Sequence, residues 1–164
     1  MAKMVIFDAK KCIGCKICEL ICSFSNTKEF GISNARIRNF IDLQEAVFFS
    51  LTCVQCKDPL CLKVCPSHAL YQEDGVIKIQ STKCIGCKLC MLTCPFGNMH
   101  FDDERGVAIK CELCGGNPKC VEYCPTGALR YQEIETVALE KQKTLFAKLK
   151  ETYLESRAVW ETEK

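Results

Sequence analysis

Residues 83–96 read KCIGCKLCMLTCPF, with Cys84, Cys87, Cys90 and Cys94 at C-x2-C-x2-C-x3-C spacing and Pro95 directly behind. Three sulfurs within seven residues can wrap one side of a compact inorganic core. A fourth, one helical turn further on, points away and is placed to reach a different core. The remaining cysteines repeat the theme. Cys12, Cys15, Cys18 and Cys22 form a first run, closed by Ser23 rather than proline. Cys53, Cys56, Cys61 and Cys65 precede Pro66, and Cys111, Cys114, Cys120 and Cys124 precede Pro125.

Internal repetition is plain. KCIGCKICELICSF (11–24) matches KCIGCKLCMLTCPF (83–96), and CPSHALYQE (65–73) matches CPTGALRYQE (124–133) with one residue inserted. Duplication of a unit that already held two motifs explains the pattern. Four groups of four use all sixteen cysteines. A cubane [4Fe–4S] cluster takes one thiolate per iron, so the arithmetic gives four clusters, and the fourth cysteine of each run is expected to serve a different cluster from its neighbours. Disulfides would be strained between such close thiols. Four-cysteine zinc sites favour two separated C-x2-C pairs over three cysteines in one loop.

At 164 residues the chain is one compact unit or two very small ones. A formal charge of +2 gives no reason to expect nucleic acid as a partner. Each oxidised cluster with its thiolates is a dianion, so four would carry the folded protein to about −6. Lys11, Lys16, Lys57, Lys63, Lys83, Lys88, Lys110 and Lys119 flank the cysteines. They either soften that charge or simply solvate loops. The opening MAKMVIFDAKK is too short in apolar residues for a secretory leader, and no run approaches the roughly 20 apolar residues of a membrane span. The expected compartment is the reducing cytoplasm.

Residues 4–8 (MVIFD) read as a strand, as does 35–41, and 46–51 is an apolar run. A long connection is expected from Ser23 to Thr52, a hairpin around Asp74-Gly75, and a turn at Gly106. Asp102-Asp103-Glu104 reads as a solvated face. His68 and His100 are surplus to a ligand set already complete. Beyond 134 the composition turns to Glu, Lys, Leu and Ala, with Leu139, Phe146, Leu149, Tyr153 and Trp160 at helical spacing, for packing or for docking a partner. No iron lacks a cysteine, and no nucleophile–base set or phosphate loop is present. The chain reads as a one-electron carrier rather than an enzyme, with potentials set by burial and hydrogen bonding within roughly −700 to +450 mV.

Over about residues 4–133 these motifs resemble the four-cluster ferredoxin-like electron-transfer subunits that accompany molybdenum and tungsten oxidoreductases. The resemblance implies nested pairing. One cluster would use Cys12, Cys15, Cys18 and Cys124, and its mate Cys111, Cys114, Cys120 and Cys22. The second pair would use Cys53, Cys56, Cys61 and Cys94, and Cys84, Cys87, Cys90 and Cys65. The expected fold is α+β: two nested bis-[4Fe–4S] ferredoxin-like modules in residues 1–134 and a helical extension over 135–164. The outer module would take about 1–35 plus 105–134, and the inner about 50–104. Small size and the short Gly115–Lys119 loop look most like the companions of tungsten aldehyde oxidoreductases. Partners so implied are a catalytic pterin subunit and a soluble acceptor or further electron-transfer subunit. Rival readings are a free polyferredoxin, or a companion of a hydrogenase, formate dehydrogenase, carbon monoxide dehydrogenase or benzoyl-CoA reductase. A structural zinc protein is the remaining alternative.

Overall fold

The computed structural model describes residues 3–162, leaving the side chains of 152, 153 and 155–162 aside. The chain divides into two units, Met1–Tyr131 and Gln132–Lys164.

The first unit is α+β, built from short strands and short helices. β1 (Lys3–Phe7) pairs with β8 (Leu129–Glu133), so the two ends of the cysteine-bearing stretch lie side by side. Just beyond β1 the Asp8 N–H donates to the Ala128 carbonyl at 2.8 Å. Between them stand three antiparallel hairpins: β2 (Ile37–Asp42) with β3 (Val47–Thr52), β4 (Leu70–Glu73) with β5 (Val76–Ile79), and β6 (His100–Asp102) with β7 (Val107–Ile109). At the β4–β5 turn Asp74 and Gly75 both take positive φ, the pair a tight two-residue hairpin demands. The acidic run at 102–104 divides. Asp102 is buried, its Oδ1 accepting the Arg105 N–H at 3.0 Å to close the β6–β7 turn, while the Asp103 side chain is exposed.

Four short helices follow the cysteine loops: α1 (Ile17–Thr27), α2 (Leu60–Lys63), α3 (Leu89–Thr93) and α4 (Lys119–Glu122). The connection expected from Ser23 therefore begins with five more helical residues. Without a proline at 23, nothing removes a backbone donor there.

Two clusters of buried residues hold this unit. One joins Val5, Ala35, Ile37, Leu113 and Leu129 to four cysteines, Cys22, Cys53, Cys111 and Cys120. The other joins Ala69, Leu70, Ile77, Met99 and Ala108 to Cys65 and Cys90. With so many thiols among the core members, little conventional apolar interior is left. The second unit is α5 (Ile134–Thr162), 29 residues or about 43 Å long. Leu139, Phe146 and Leu149 of the expected stripe are exposed, and the side chains of Tyr153 and Trp160 lie outside the described residues. Among the described residues no helix is long and apolar enough to cross a membrane.

Candidate metal centres

Each cysteine run opens with the same backbone turn. The third residue of every first C-x2-C takes positive φ: Gly14, Gln55, Gly86 and Leu113. That left-handed step reverses the chain, so that the flanking sulfurs can face one volume. At Gly86 the reversal leaves little room for a side chain, because a Cβ would stand 3.0 Å from the Gly106 carbonyl oxygen.

The sixteen thiols are all free. Cys12, Cys15, Cys18 and Cys124 line one cavity with Phe7 and Phe49, about 410 Å³ of space free of protein atoms and partly open to solvent. Cys65, Cys84, Cys87 and Cys90 line another of about 320 Å³, against Leu70 and Phe101. Among the other eight thiols, mutual electrostatics marks which are neighbours. Cys22 is pushed up to about 11, by burial first and then by Cys111 and Cys114, against a lowering hydrogen bond from the Arg36 N–H. Cys120 is raised by burial, then by Cys111, Cys22, Cys114 and Cys18. Cys61 is raised by burial, opposed by Lys110, and raised again by Cys94 and Cys56. Cys53 follows suit, with Cys111 and Cys61 among its neighbours. Cys90 reaches about 11 through burial and then Cys84, Cys87, Cys61 and Cys65. Among the described residues no three Cys, His, Asp or Glu side chains converge on one ion, so these sulfurs frame volumes rather than points.

The thiols at two C-P ends behave differently. Burial raises Cys65, but backbone N–H groups of Leu70, Ala69 and Ser67 and the Ser67 hydroxyl outweigh it, and its thiol is lowered. The Ala69 N–H donates to Cys65 Sγ at 3.3 Å. Cys124 is lowered by the same balance, through Leu129, Thr126 and Ala128. Both nests depend on a left-handed residue three places after the cysteine, Gly127 in one and His68 in the other. His68 is thus accounted for by the turn, its N–H donating to the Cys65 carbonyl at 3.2 Å. His100 is half-buried in β6, where burial and then Arg38 lower it to about 4.

A model of the 4Fe–4S dicluster domain matches residues 44–134, more than half of the chain, and one of the 4Fe–4S binding domain matches 9–25. The chain belongs to the 4Fe–4S dicluster domain family. Within it, this protein is 40% identical over 121 residues to the putative electron transport protein YsaA of Escherichia coli (strain K12), across 70% of this chain and 77% of that one. It is 38% identical over 122 residues to the probable anaerobic dimethyl sulfoxide reductase chain YnfG of the same strain, across 65% and 58%. Against the thiosulfate reductase electron transfer subunit PhsB of Salmonella typhi it is 31% identical over 118 residues, across 68% and 62%. It spans less than two thirds of the length of these last two. Like its relatives named for electron transport or transfer, it is an electron-transfer iron–sulfur protein. Its donor set fits that role: two spaces wider than one ion needs are each lined by four thiols.

Sequence reading missed two side chains. Glu19, between Cys18 and Cys22, is 2% exposed and accepts the Asn39 N–H on Oε1 at 2.8 Å. Lys110, one of the eight lysines near cysteines, is 0% exposed. Neither position is marked by periodicity, and both lie beside cysteines whose packing is not legible from spacing.

Proposed function

We propose that this chain carries four [4Fe–4S] clusters and serves as the electron-transfer subunit of an oxidoreductase complex, linking a molybdenum or tungsten pterin subunit to a redox partner. The observation that carries it is that two cavities are each lined by four thiols, three from one motif and the fourth from another. Cys12, Cys15 and Cys18 would hold a cluster with Cys124, and Cys111, Cys114 and Cys120 with Cys22. Cys53, Cys56 and Cys61 would do so with Cys94, and Cys84, Cys87 and Cys90 with Cys65. Each such group, when bound, accepts and gives single electrons. The protein supplies the spacing. Electrostatic influence of Cys18 on Cys120, of Cys111 on Cys53 and of Cys61 on Cys90 supports a linear order of the proposed quartets.

The nested modules, outer over about 1–35 plus 105–134 and inner over about 50–104, are supported by the β1–β8 pairing and by the two separate buried clusters. Relatives named for dimethyl sulfoxide and thiosulfate reductases favour a molybdenum companion, whereas the short Gly115–Lys119 loop favours a tungsten aldehyde oxidoreductase type. A reducing, cytoplasmic setting suits sixteen free thiols. A free-standing carrier is the second reading, favoured by the relative named only as an electron transport protein.

Two measurements test this. Metal and sulfide analysis of protein isolated without oxygen should give about sixteen irons per chain. A colourless, folded, iron-free chain would end the four-cluster reading. Gel filtration from the native source should show it eluting with a larger catalytic chain, and elution alone as a monomer would remove the subunit reading.

A further inference from the structure

Lys110 follows β7 and immediately precedes Cys111, and no part of it reaches solvent. Its Nζ donates to the carbonyl of Cys111 at 2.6 Å and to the carbonyl of Ile77, and stands 3.5 Å from Gln55 Oε1. Gln55 completes the knot. Its Nε2 donates to the Cys111 carbonyl at 2.9 Å, and its Oε1 accepts the Ile77 N–H at 3.0 Å. All three acceptors around the ammonium are uncharged. Among the described residues no carboxylate forms an ion pair with it. Its hydrogen bonds are satisfied, and its charge is not.

A buried charge persists where an opposite charge compensates it. With a cluster bound, the nearest anions are its sulfurs. Gln55, whose Oε1 stands 3.5 Å from the ammonium, lies in the loop between Cys53 and Cys56. Lys110 is the largest influence opposing the rise that burial gives Cys53 and Cys61. The internal repeat sharpens the point. Alignment of the second and fourth motifs places Thr52 opposite Lys110 and Gln55 opposite Leu113, so only one half of the duplicated unit carries the cation. Gln55 and Leu113 share the same left-handed backbone, which shows that the turn itself needs no lysine.

We propose that Lys110 is the fixed buried counter-charge of the site formed by Cys53, Cys56, Cys61 and Cys94, and that it raises the reduction potential there. This rests on the four-cluster reading. Adding one electron and no proton at that site, from the redox partner or from dithionite, makes it more negative by one charge. The ammonium offsets that change, so the electron is held more firmly where Lys110 stands. Lys110 is a positioning and tuning residue, in place before the electron arrives.

The test uses the cluster-loaded protein and begins with its iron and sulfide content. A wild-type chain short of about sixteen irons would fault the functional reading instead. With loading established, EPR-monitored potentiometric titration compares wild type with Lys110→Met and Lys110→Arg. Lys110→Met should lower the midpoint potential of the centre that Cys94→Ala abolishes, and leave the centre that Cys12→Ala abolishes unmoved. Lys110→Arg, which keeps the charge, should stay near wild type. A fully loaded Lys110→Met with unmoved potentials overturns the proposal, as does an equal shift in both variants, which would mark a packing role. Should Lys110→Met fail to assemble, Gln55→Glu sets a carboxylate against the ammonium. A lowered potential at the same centre then supports the assignment, and an unchanged one overturns it.

Discussion

The first and third cysteine runs agree at ten of fourteen positions, yet they build different structures. Both turn through a left-handed glycine and then a left-handed lysine, Gly14 and Lys16 in one, Gly86 and Lys88 in the other. Both then enter a helix. α3 stops after five residues, because Pro95 pushes Cys94 out of helical geometry, to φ −70 and ψ 112. α1 continues for eleven and closes on a left-handed Lys28, whose N–H donates to the Phe24 carbonyl at 2.8 Å. Ser23, where the other run has proline, is buried. Its hydroxyl donates to the Glu29 carbonyl at 2.7 Å and accepts the Gly31 N–H at 3.0 Å. The added turns carry Asn26, which donates to the Cys22 carbonyl at 2.7 Å, while Glu19 ties the helix to β2. One residue after the fourth cysteine therefore decides whether the motif ends in a turn or grows a docking surface for a hairpin.

The largest expected effect tests whether the two runs share one rule of ligand exchange. Cys94→Ala should remove the EPR signal of the site holding Cys53, Cys56 and Cys61 and lower the iron content by about four, sparing the site of its own neighbours. Cys22→Ala should do likewise to the site of Cys111, Cys114 and Cys120. Loss of the neighbouring centre in either case breaks the exchange. Next comes Ser23→Pro, which writes the third motif's ending into the first. It should cost about 3 kcal/mol or more in a denaturant titration, since α1 runs through that position. The reverse change, Pro95→Ser, should move stability by under about 1 kcal/mol. Equal effects would mean that the proline does not decide helix length.

Smaller again are the two glycines. Alanine at either carries the left-handed penalty of about 1–2 kcal/mol. At Gly86 the obstacle is a backbone oxygen, whereas at Gly14 it is the Phe48 ring, 2.6 Å from the new Cβ. Gly86→Ala should lower the melting temperature, and Gly14→Ala should in addition perturb the spectrum of the Cys12 site, whose cavity Phe48 lines. The smallest effect is a pH dependence found in one half only. His100 is held near 4 when folded, below its ordinary 6.5, so the fold disfavours its protonation. The stability it lends is complete above about 6.5 and drains away as pH falls towards 4. His100→Gln should flatten that limb of a melting-temperature profile between pH 6.5 and 5. An unchanged slope would remove His100 from the account.

Much of this was readable in advance. Cysteine spacing and the Asp74-Gly75 pair are local signals, and β4–β5 turns at that pair. β2 and β3 overlie the strand expected at 35–41 and the apolar run at 46–51, whose pairing as a hairpin was not expected. What escaped depends on distant parts meeting. The pairing of β1 with β8 joins strands more than a hundred residues apart, and nothing local in either names its mate. The burial of Lys110 needs Gln55, Ile77 and Cys111 at once, and a lysine beside a cysteine looks the same in sequence whether it is buried or solvated. The extra turns of α1 were within reach, since the missing proline was visible and its consequence follows from backbone chemistry alone.

The meeting of β1 with β8 also bears on biosynthesis. As the chain leaves the ribosome, Cys12, Cys15 and Cys18 emerge first, but the cavity they line is not complete until Cys124 follows. The volume lined by Cys65, Cys84, Cys87 and Cys90 can close well before that. The earliest thiols to be made are thus among the last to find their full company, and until then they stand open to oxidants and stray metals.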